Sequence, residues 1–164
     1  MSRGNKLAIY PGTFDPITNG HLDIIQRSVT LFDSVIVGVT TNPSKAPLFT
    51  VAERIDMIQK VTSELQDVTV ESFDGLLMDY ARLKQADAVV RGLRAITDFE
   101  YEFQMALVNR KLADEIVTVF LMPNEKYTYL NSTIVKEVAK FNGDVGSFVP
   151  ELVYQNLAAK FKNL

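Results

Sequence analysis

A chain of 164 residues suits one domain of ordinary size, spanning residues 1–164. Its 47% hydrophobic and 23% charged residues fit a globular fold with a real core, and the net charge of −3 argues against general binding to nucleic acid or to a membrane surface. Cysteine is absent, which excludes disulfides, thiolate metal sites and a cysteine nucleophile, and fits a cytoplasmic protein. Met1 to Lys6 is polar and lacks the long apolar core of a signal peptide, and no apolar run approaches membrane-spanning length.

Strand-like and helix-like segments alternate. Lys6 to Tyr10 reads as a short strand ended by Pro11-Gly12. A helix follows from Asn19 or Gly20 to about Leu31, with Leu22, Ile25 and Val29 on one side. Ser34 to Thr40 is continuous and β-branched, as expected for a strand buried on both faces. Thr50 and Glu53 form a capping box that opens a helix to about Glu64. Asp67 to Phe73 reads as a third strand, Leu76 to Lys84 as a helix and Ala88 to Val90 as a fourth strand. Asp98 to Leu112 is a longer helix and Ile116 to Leu121 a fifth strand; Ser132 to Phe141 and Pro150 to Phe161 are closing helices. The pattern predicts an α/β fold, Rossmann-like, with a parallel five-stranded sheet and helices on both faces. Ligands of such sheets bind at the carboxyl ends of the strands, where the chain order reverses. A functional residue should therefore fall just after a strand.

Four segments meet that test. Pro11 to His21 follows the first strand and opens the first helix. Gly12 and Gly20 permit close approach, Thr13 offers a hydroxyl and an N–H, and the helix start suits a phosphate. His21 is the single histidine, placed in the first helical turn where it can donate to a phosphoryl oxygen; such a histidine is more often a structural hydrogen-bonder. Asn42 to Pro47 follows the second strand and carries Lys45, either a surface charge or a phosphate contact. Arg91-Gly92-Leu93-Arg94 follows the fourth strand; its arginines could clamp oxyanions or form a surface salt bridge with Asp98 or Glu100. Tyr127 to Thr133 precedes a helix and reads either as capping or as a further hydroxyl-rich helix start, with Tyr127 able to cover a flat base. Together these describe several anion contacts without a covalent nucleophile. That points to phosphoryl or nucleotidyl transfer by positioning and charge stabilisation.

The stretch PGTFDPITNGH, with Thr18-Asn19-Gly20-His21 at its end, resembles the signature of the nucleotidyltransferase superfamily. RGLRAITDFEYEFQ and the later VFLMP and LNSTIVKEVA segments are similar to the bacterial phosphopantetheine adenylyltransferase family. The resemblance covers nearly the whole chain. It implies transfer of the adenylyl group of ATP to 4′-phosphopantetheine. It also implies that His21 stabilises the transition state, with Lys45 and Arg94 neutralising charge. Thr13, Lys45, Leu77 and Arg91 would hold phosphopantetheine. Thr13, Phe14, His21, Gly92, Leu93, Arg94 and Glu102 would hold ATP, as would Tyr127, Thr128, Tyr129, Leu130, Asn131, Ser132 and Thr133. Asn131-Ser132-Thr133 stands where the family carries three serines. The family further implies Mg2+, a homohexamer and coenzyme A as feedback inhibitor, and no protein-held metal site. Sibling adenylyl- or cytidylyltransferases share the first motif, but the arginine segment argues against them; intact His21, Lys45 and Arg91 argue against a sensing module without catalysis. The residues Leu76, Leu77, Met78, Tyr80, Phe99, Tyr101 and Phe103 offer more apolar surface than one core face needs, which points to subunit contacts.

Overall fold

The computed structural model describes residues 5–41, 46–94 and 96–162, with Ile96 and Thr97 described in their backbone alone. The elements run β1 (Leu7–Gly12), α1 (Asn19–Leu31), β2 (Ser34–Thr40), α2 (Val51–Val61), β3 (Val68–Phe73) and α3 (Leu77–Leu83). They continue with β4 (Ala88–Gly92), α4 (Ile96–Leu112), β5 (Val117–Leu121), a 3-10 turn at Glu125–Tyr127, α5 (Ser132–Lys140) and α6 (Glu151–Lys162). The strands form one five-stranded sheet in the order β3-β2-β1-β4-β5. All four pairings are parallel. The chain builds outward through β2 and β3, then returns to the other side of β1 with β4. The order therefore reverses between β1 and β4.

Strand alternation divides the core between the two sheet faces. Ala8, Tyr10, Val37, Val39 and Val90 point to one side, where they pack with Ile24 and Ile25 of α1, Met57 and Ile58 of α2, Val135 of α5 and Val153 of α6. Ile9, Ile36 and Val89 point to the other, against Met78, Tyr80 and Ala81 of α3. β2 is buried on both faces, as its unbroken β-branched run predicts. The Thr50–Glu53 capping box forms in both directions, with Glu53 N–H to Thr50 Oγ1 at 3.2 Å and Thr50 N–H to Glu53 Oε2 at 2.8 Å.

Several boundaries differ from the sequence reading. β1 does not stop at Pro11-Gly12 but runs through Gly12, because a proline lacking an N–H is tolerated where pairing continues on one side only. α2 ends at Val61 rather than near Glu64; Thr62 closes it, its Oγ1 donating to Ile58 O at 2.7 Å. On α1 the core-facing residues are Ile24, Ile25 and Ser28, while Leu22 and Val29 are half-buried. Met78 and Tyr80 are core residues, at 0% and 8% exposure, and so are not spare surface.

One buried carboxylate ties three segments together. Asp15, 3% exposed, accepts from Leu48 N–H and Phe49 N–H at 2.9 Å each and from Lys136 Nζ of α5 at 2.5 Å. Replacing it leaves a half-buried ammonium and two amides, that of Phe49 buried, without their acceptor. Asp15→Ala should lower the unfolding free energy by about 3 kcal/mol, read as a shift in urea midpoint.

Candidate active site

β1 pairs with β2 along six residues, but with β4 only at Ala8–Ala88 and Ile9–Val89. Beyond that point the two central strands part. The crevice this opens holds a cavity of about 130 Å³, lined by Tyr10, Pro11 and Gly12 from β1 and by Arg91 and Gly92 from β4. α1 supplies Gly20 and His21, and Arg94, Glu102 and Leu130 close the remaining sides. This is the topological switch point of the sheet, the place where such folds bind ligands.

His21 is held by its own helix start. Thr18 is the N-cap, and His21 occupies the third helical position of a reciprocal capping box. The Thr18 N–H donates to His21 Nδ1 at 3.0 Å, and the His21 N–H donates to Thr18 Oγ1 at 3.3 Å. An Nδ1 that accepts leaves the proton on Nε2, so the neutral ring presents an N–H donor. Burial first, and the positive charge of Arg94 second, push the His21 pKa down to about 3. Phe14 stands edge-on to the imidazole with ring centroids 5.1 Å apart. Phe14 has φ +50, a conformation that costs a bulky residue roughly 1–2 kcal/mol and that the packed ring maintains. Gly12 is required beneath it, because a Cβ there would lie 2.9 Å from the Phe14 ring.

Arg91 forms a two-pronged ion pair with Glu102 of α4, at 2.9 Å through Nε and 2.6 Å through Nη2. It also donates to Pro11 O at 3.3 Å, which bridges the parted strands. Burial alone would lower the Arg91 pKa, but Glu102 outweighs it and the guanidinium is held fully charged. The salt bridge expected between this segment and Asp98 forms at Arg94, at 3.6 Å, while Arg91 pairs with Glu102. Arg94 donates to Leu130 O at 2.9 Å, so the end of β4 is fixed to the segment before α5. Burial keeps the Tyr10 phenol protonated at the crevice floor, against the opposing pull of Arg91 and Arg94.

A second, wider cavity of about 470 Å³ adjoins the first. Thr13, Thr40, Thr41, Phe73 and Leu77 line it, and it shares Pro11, Gly12 and Arg91 with the crevice. Thr13 and Thr40 hydroxyls face each other at 3.5 Å. Lys45 lies outside the described residues. Of the residues expected to act, Phe14, His21, Gly92, Arg94, Glu102 and Leu130 surround the smaller cavity, while Thr13, Leu77 and Arg91 line the larger. Leu93 is among the lining residues of neither cavity, and its N–H is committed to Leu121 O at 2.9 Å.

The 127–133 segment is anchored beside this crevice. Tyr127 backs Gly20, where a Cβ would come within 3.4 Å of the tyrosine Cβ. Thr128 Oγ1 donates to Glu125 O at 2.8 Å, and Tyr129 is exposed with its ring edge-on to Phe148. Asn131 caps α5 through Ile134 N–H at 2.8 Å, Ser132 Oγ donates to Pro16 O at 2.7 Å, and Thr133 is exposed. Sequence reasoning missed Tyr10, Thr40 and Thr41. The strand-end rule could have found the threonines, which close β2; Tyr10 gave no signal because it reads as an ordinary strand residue.

Residues 9–138 match the model of the cytidylyltransferase-like family. The chain is 56% identical over 155 residues to the phosphopantetheine adenylyltransferase of Alkaliphilus metalliredigens, covering 94% of this chain and 99% of that protein. The chain belongs to the phosphopantetheine adenylyltransferase family. The enzyme of that name from Caldanaerobacter subterraneus subsp. tengcongensis is 53% identical over 157 residues, covering 96% of this chain and 98% of that one. In fold, the family member resembles a bifunctional NMN adenylyltransferase/ADP ribose pyrophosphatase from Francisella tularensis, with TM-score 0.74 at 16% identity over 98% of this chain and 50% of that one.

The half-buried, neutral His21 gives a clean prediction, since the chain has one histidine. Its imidazole NMR signals should stay at neutral-form positions from pH 8 down to pH 5. The folded pKa, about 3, lies below the ordinary value of 6.5, so the unfolded chain takes up the proton first. Stability should therefore fall as pH drops through 6.5, by about 2 kcal/mol between pH 8 and pH 5. A His21→Gln variant should lack that part of the slope.

Proposed function

We infer that this protein transfers the adenylyl group of ATP to 4′-phosphopantetheine, giving dephospho-coenzyme A and pyrophosphate. The observation that carries the reading is the pair of cavities that meet at Gly12 and Arg91 in a member of this family. Two substrates that exchange a phosphorus centre must bring their reacting phosphates together. A shared wall bearing a charged arginine suits that meeting point. The smaller cavity would take the adenylyl part of ATP, and the wider one the acceptor arm against Leu77 and Phe73.

In this reading an oxygen of the acceptor phosphate attacks the α-phosphorus of ATP in line. The bond from that phosphorus to the β-phosphate oxygen breaks, and pyrophosphate leaves with the electron pair. The attacking phosphate is already anionic near neutral pH, so no strong base is needed. His21 donates its Nε2–H to the phosphoryl oxygens, where charge grows in the transition state. A neutral donor serves without a change of protonation. Arg91 and Arg94 compensate the charge of both phosphate groups, and Arg91 exchanges part of its pairing with Glu102 for the acceptor phosphate. Lys45 would add a further cation from the β2–α2 loop. Asn131, Ser132 and Thr133, at the start of α5, would meet the outer phosphates together with Tyr127, Thr128 and Tyr129. Holding both substrates in one crevice supplies proximity and orientation.

Among the described residues no three His, Asp or Glu side chains converge on a metal position. Mg2+ is accordingly proposed to enter on the phosphates of ATP, held by them and by water, as that ion commonly is. No step above is routed through it. Coenzyme A carries both the acceptor arm and an adenosine, and so is proposed to compete for both cavities as an inhibitor. No helix among the described residues is long and apolar enough to cross a membrane. A cytoplasmic location is part of the same proposal.

The longest helix supports an assembly. Of the α4 side chains described, those that are buried are Glu102 and Asn109, both polar. Its large apolar groups face out: Phe99 at 47% exposure, Tyr101 at 62%, Phe103 at 47% and Leu107 at 52%. Leu112, Leu76 and Leu83 extend the apolar surface. A patch of this size on a soluble protein is unusual unless another subunit covers it. A second copy of this chain is the proposed cover, in a homohexamer.

Pyrophosphate release should require both ATP and 4′-phosphopantetheine, and nicotinamide mononucleotide should not replace the acceptor. His21→Ala should lower kcat by on the order of 10², with a smaller change in either KM. A kcat near that of the unchanged protein would remove the transition-state role. Light scattering at micromolar concentration should give six times the chain mass, and Phe103→Asp with Leu107→Asp should reduce it to smaller species. A fully active monomer would exclude the assembly.

A further inference from the structure

Arg54 on α2 is a charged side chain in an unusual place. It is 1% exposed, among the largest fully buried side chains of the protein. Its hydrogen bonds among the described residues all go to backbone carbonyls: Nε to Phe49 O at 3.1 Å, and Nη1 to Thr13 O at 2.7 Å and to Thr40 O at 3.1 Å. The nearby carboxylate, Asp15, is already committed to Lys136 and to the amides of Leu48 and Phe49. The three charges under this wall therefore sum to a positive excess. Burying a guanidinium without a dedicated carboxylate is costly, and three carbonyls offset only part of that cost. A packed apolar side chain would have filled the space more cheaply.

What the arginine touches gives the excess charge a use. Thr13 and Thr40 are the two threonines whose hydroxyls meet at 3.5 Å in the wall of the wider cavity, at the ends of different strands. Arg54 clamps both of their carbonyls through one nitrogen and so sets how far apart β1 and β2 end. Its third bond, to Phe49 O, fixes the start of α2, just beyond the β2–α2 loop. The ends of that loop are thus tied to the same guanidinium.

We propose that Arg54 is a positioning residue for the acceptor phosphate. It holds Thr13 and Thr40 at phosphate-binding separation and places a buried positive charge directly behind them. This inference rests on the reading of the wider cavity as the acceptor site. Arg54 touches neither substrate. Its effect should fall on the acceptor's phosphate, not on its pantetheine arm and not on ATP, whose cavity is lined by neither Thr13 nor Thr40.

The test compares Arg54→Met and Arg54→Lys with the unchanged protein in pyrophosphate release, alongside inhibition by pantetheine, which has the arm without the phosphate. Arg54→Met should raise the KM for phosphopantetheine about tenfold, with the KM for ATP within about twofold and pantetheine inhibition unaltered. Arg54→Lys keeps the charge and reaches the two carbonyls, so the acceptor KM should recover to within about threefold. Equal rises in both KM values, equal weakening of pantetheine, or unaltered kinetics in Arg54→Met would overturn the proposal. If Arg54→Met does not fold, Arg54→Gln, which also removes the charge, decides by the same split: a rise confined to the phosphorylated acceptor supports it, and any other pattern overturns it. Absence of acceptor-dependent release in the unchanged protein would instead remove the assigned reaction.

Discussion

The parting of β1 from β4 is the constraint on which the site depends. Parallel strands in a covered sheet normally stay paired, and β1 does so with β2 over its full length. With β4 the ladder stops after Ile9–Val89, and Tyr10 to Gly12 of one strand and Arg91 and Gly92 of the other become walls. The topology makes this possible. At a point where chain order reverses, the helices that follow the two strands lie on opposite faces, so nothing fills the space above the split. Arg91 then bridges the opening to Pro11 O, and Arg94 ties the end of β4 to Leu130. The crevice is thus braced by the same cations that would meet its ligands.

That double use shapes the electrostatics. A row of cations around a small buried cavity would repel itself, and two features limit the repulsion. Glu102 neutralises Arg91 through both prongs, and His21 stays uncharged. In the proposed reading an arriving phosphate would share Arg91 with Glu102. His21 is kept neutral by burial and by Arg94, and it is aimed by Thr18. Its helix start therefore has two functions in one residue pair, since the box that caps α1 also selects the imidazole tautomer.

Periodicity and strand-end chemistry were enough to read the sheet, all five strands and three of the segments that border the two cavities. β2 was legible because a run of β-branched residues has no other comfortable home, and the Thr50–Glu53 box because its two bonds are local. What could not be read depends on contacts between distant segments. Arg91 pairs with Glu102, eleven residues on, rather than with the nearer acids, because α4 turns Glu102 toward the sheet and leaves Glu100 in solvent. Met78 and Tyr80 looked like spare surface until α3 was laid against Ile9, Ile36 and Val89. Arg54 and Asp15 gave no sequence signal at all, because a buried charge in a polar-looking helix or turn resembles an exposed one.

α4 connects these themes. Among its described side chains the buried ones, Glu102 and Asn109, are polar, and aromatic and aliphatic groups elsewhere on the helix face solvent in the single chain. A helix whose described buried side chains are polar gains little hydrophobic stabilisation from them. Covering Phe99, Tyr101, Phe103 and Leu107 with another copy would supply the missing apolar contact. It would also fix the position from which Glu102 reaches Arg91. In such an arrangement the subunit interface and the charge balance of the crevice rest on opposite sides of one helix. Loosening the first would then be felt at the second, without any residue of the neighbour entering the site.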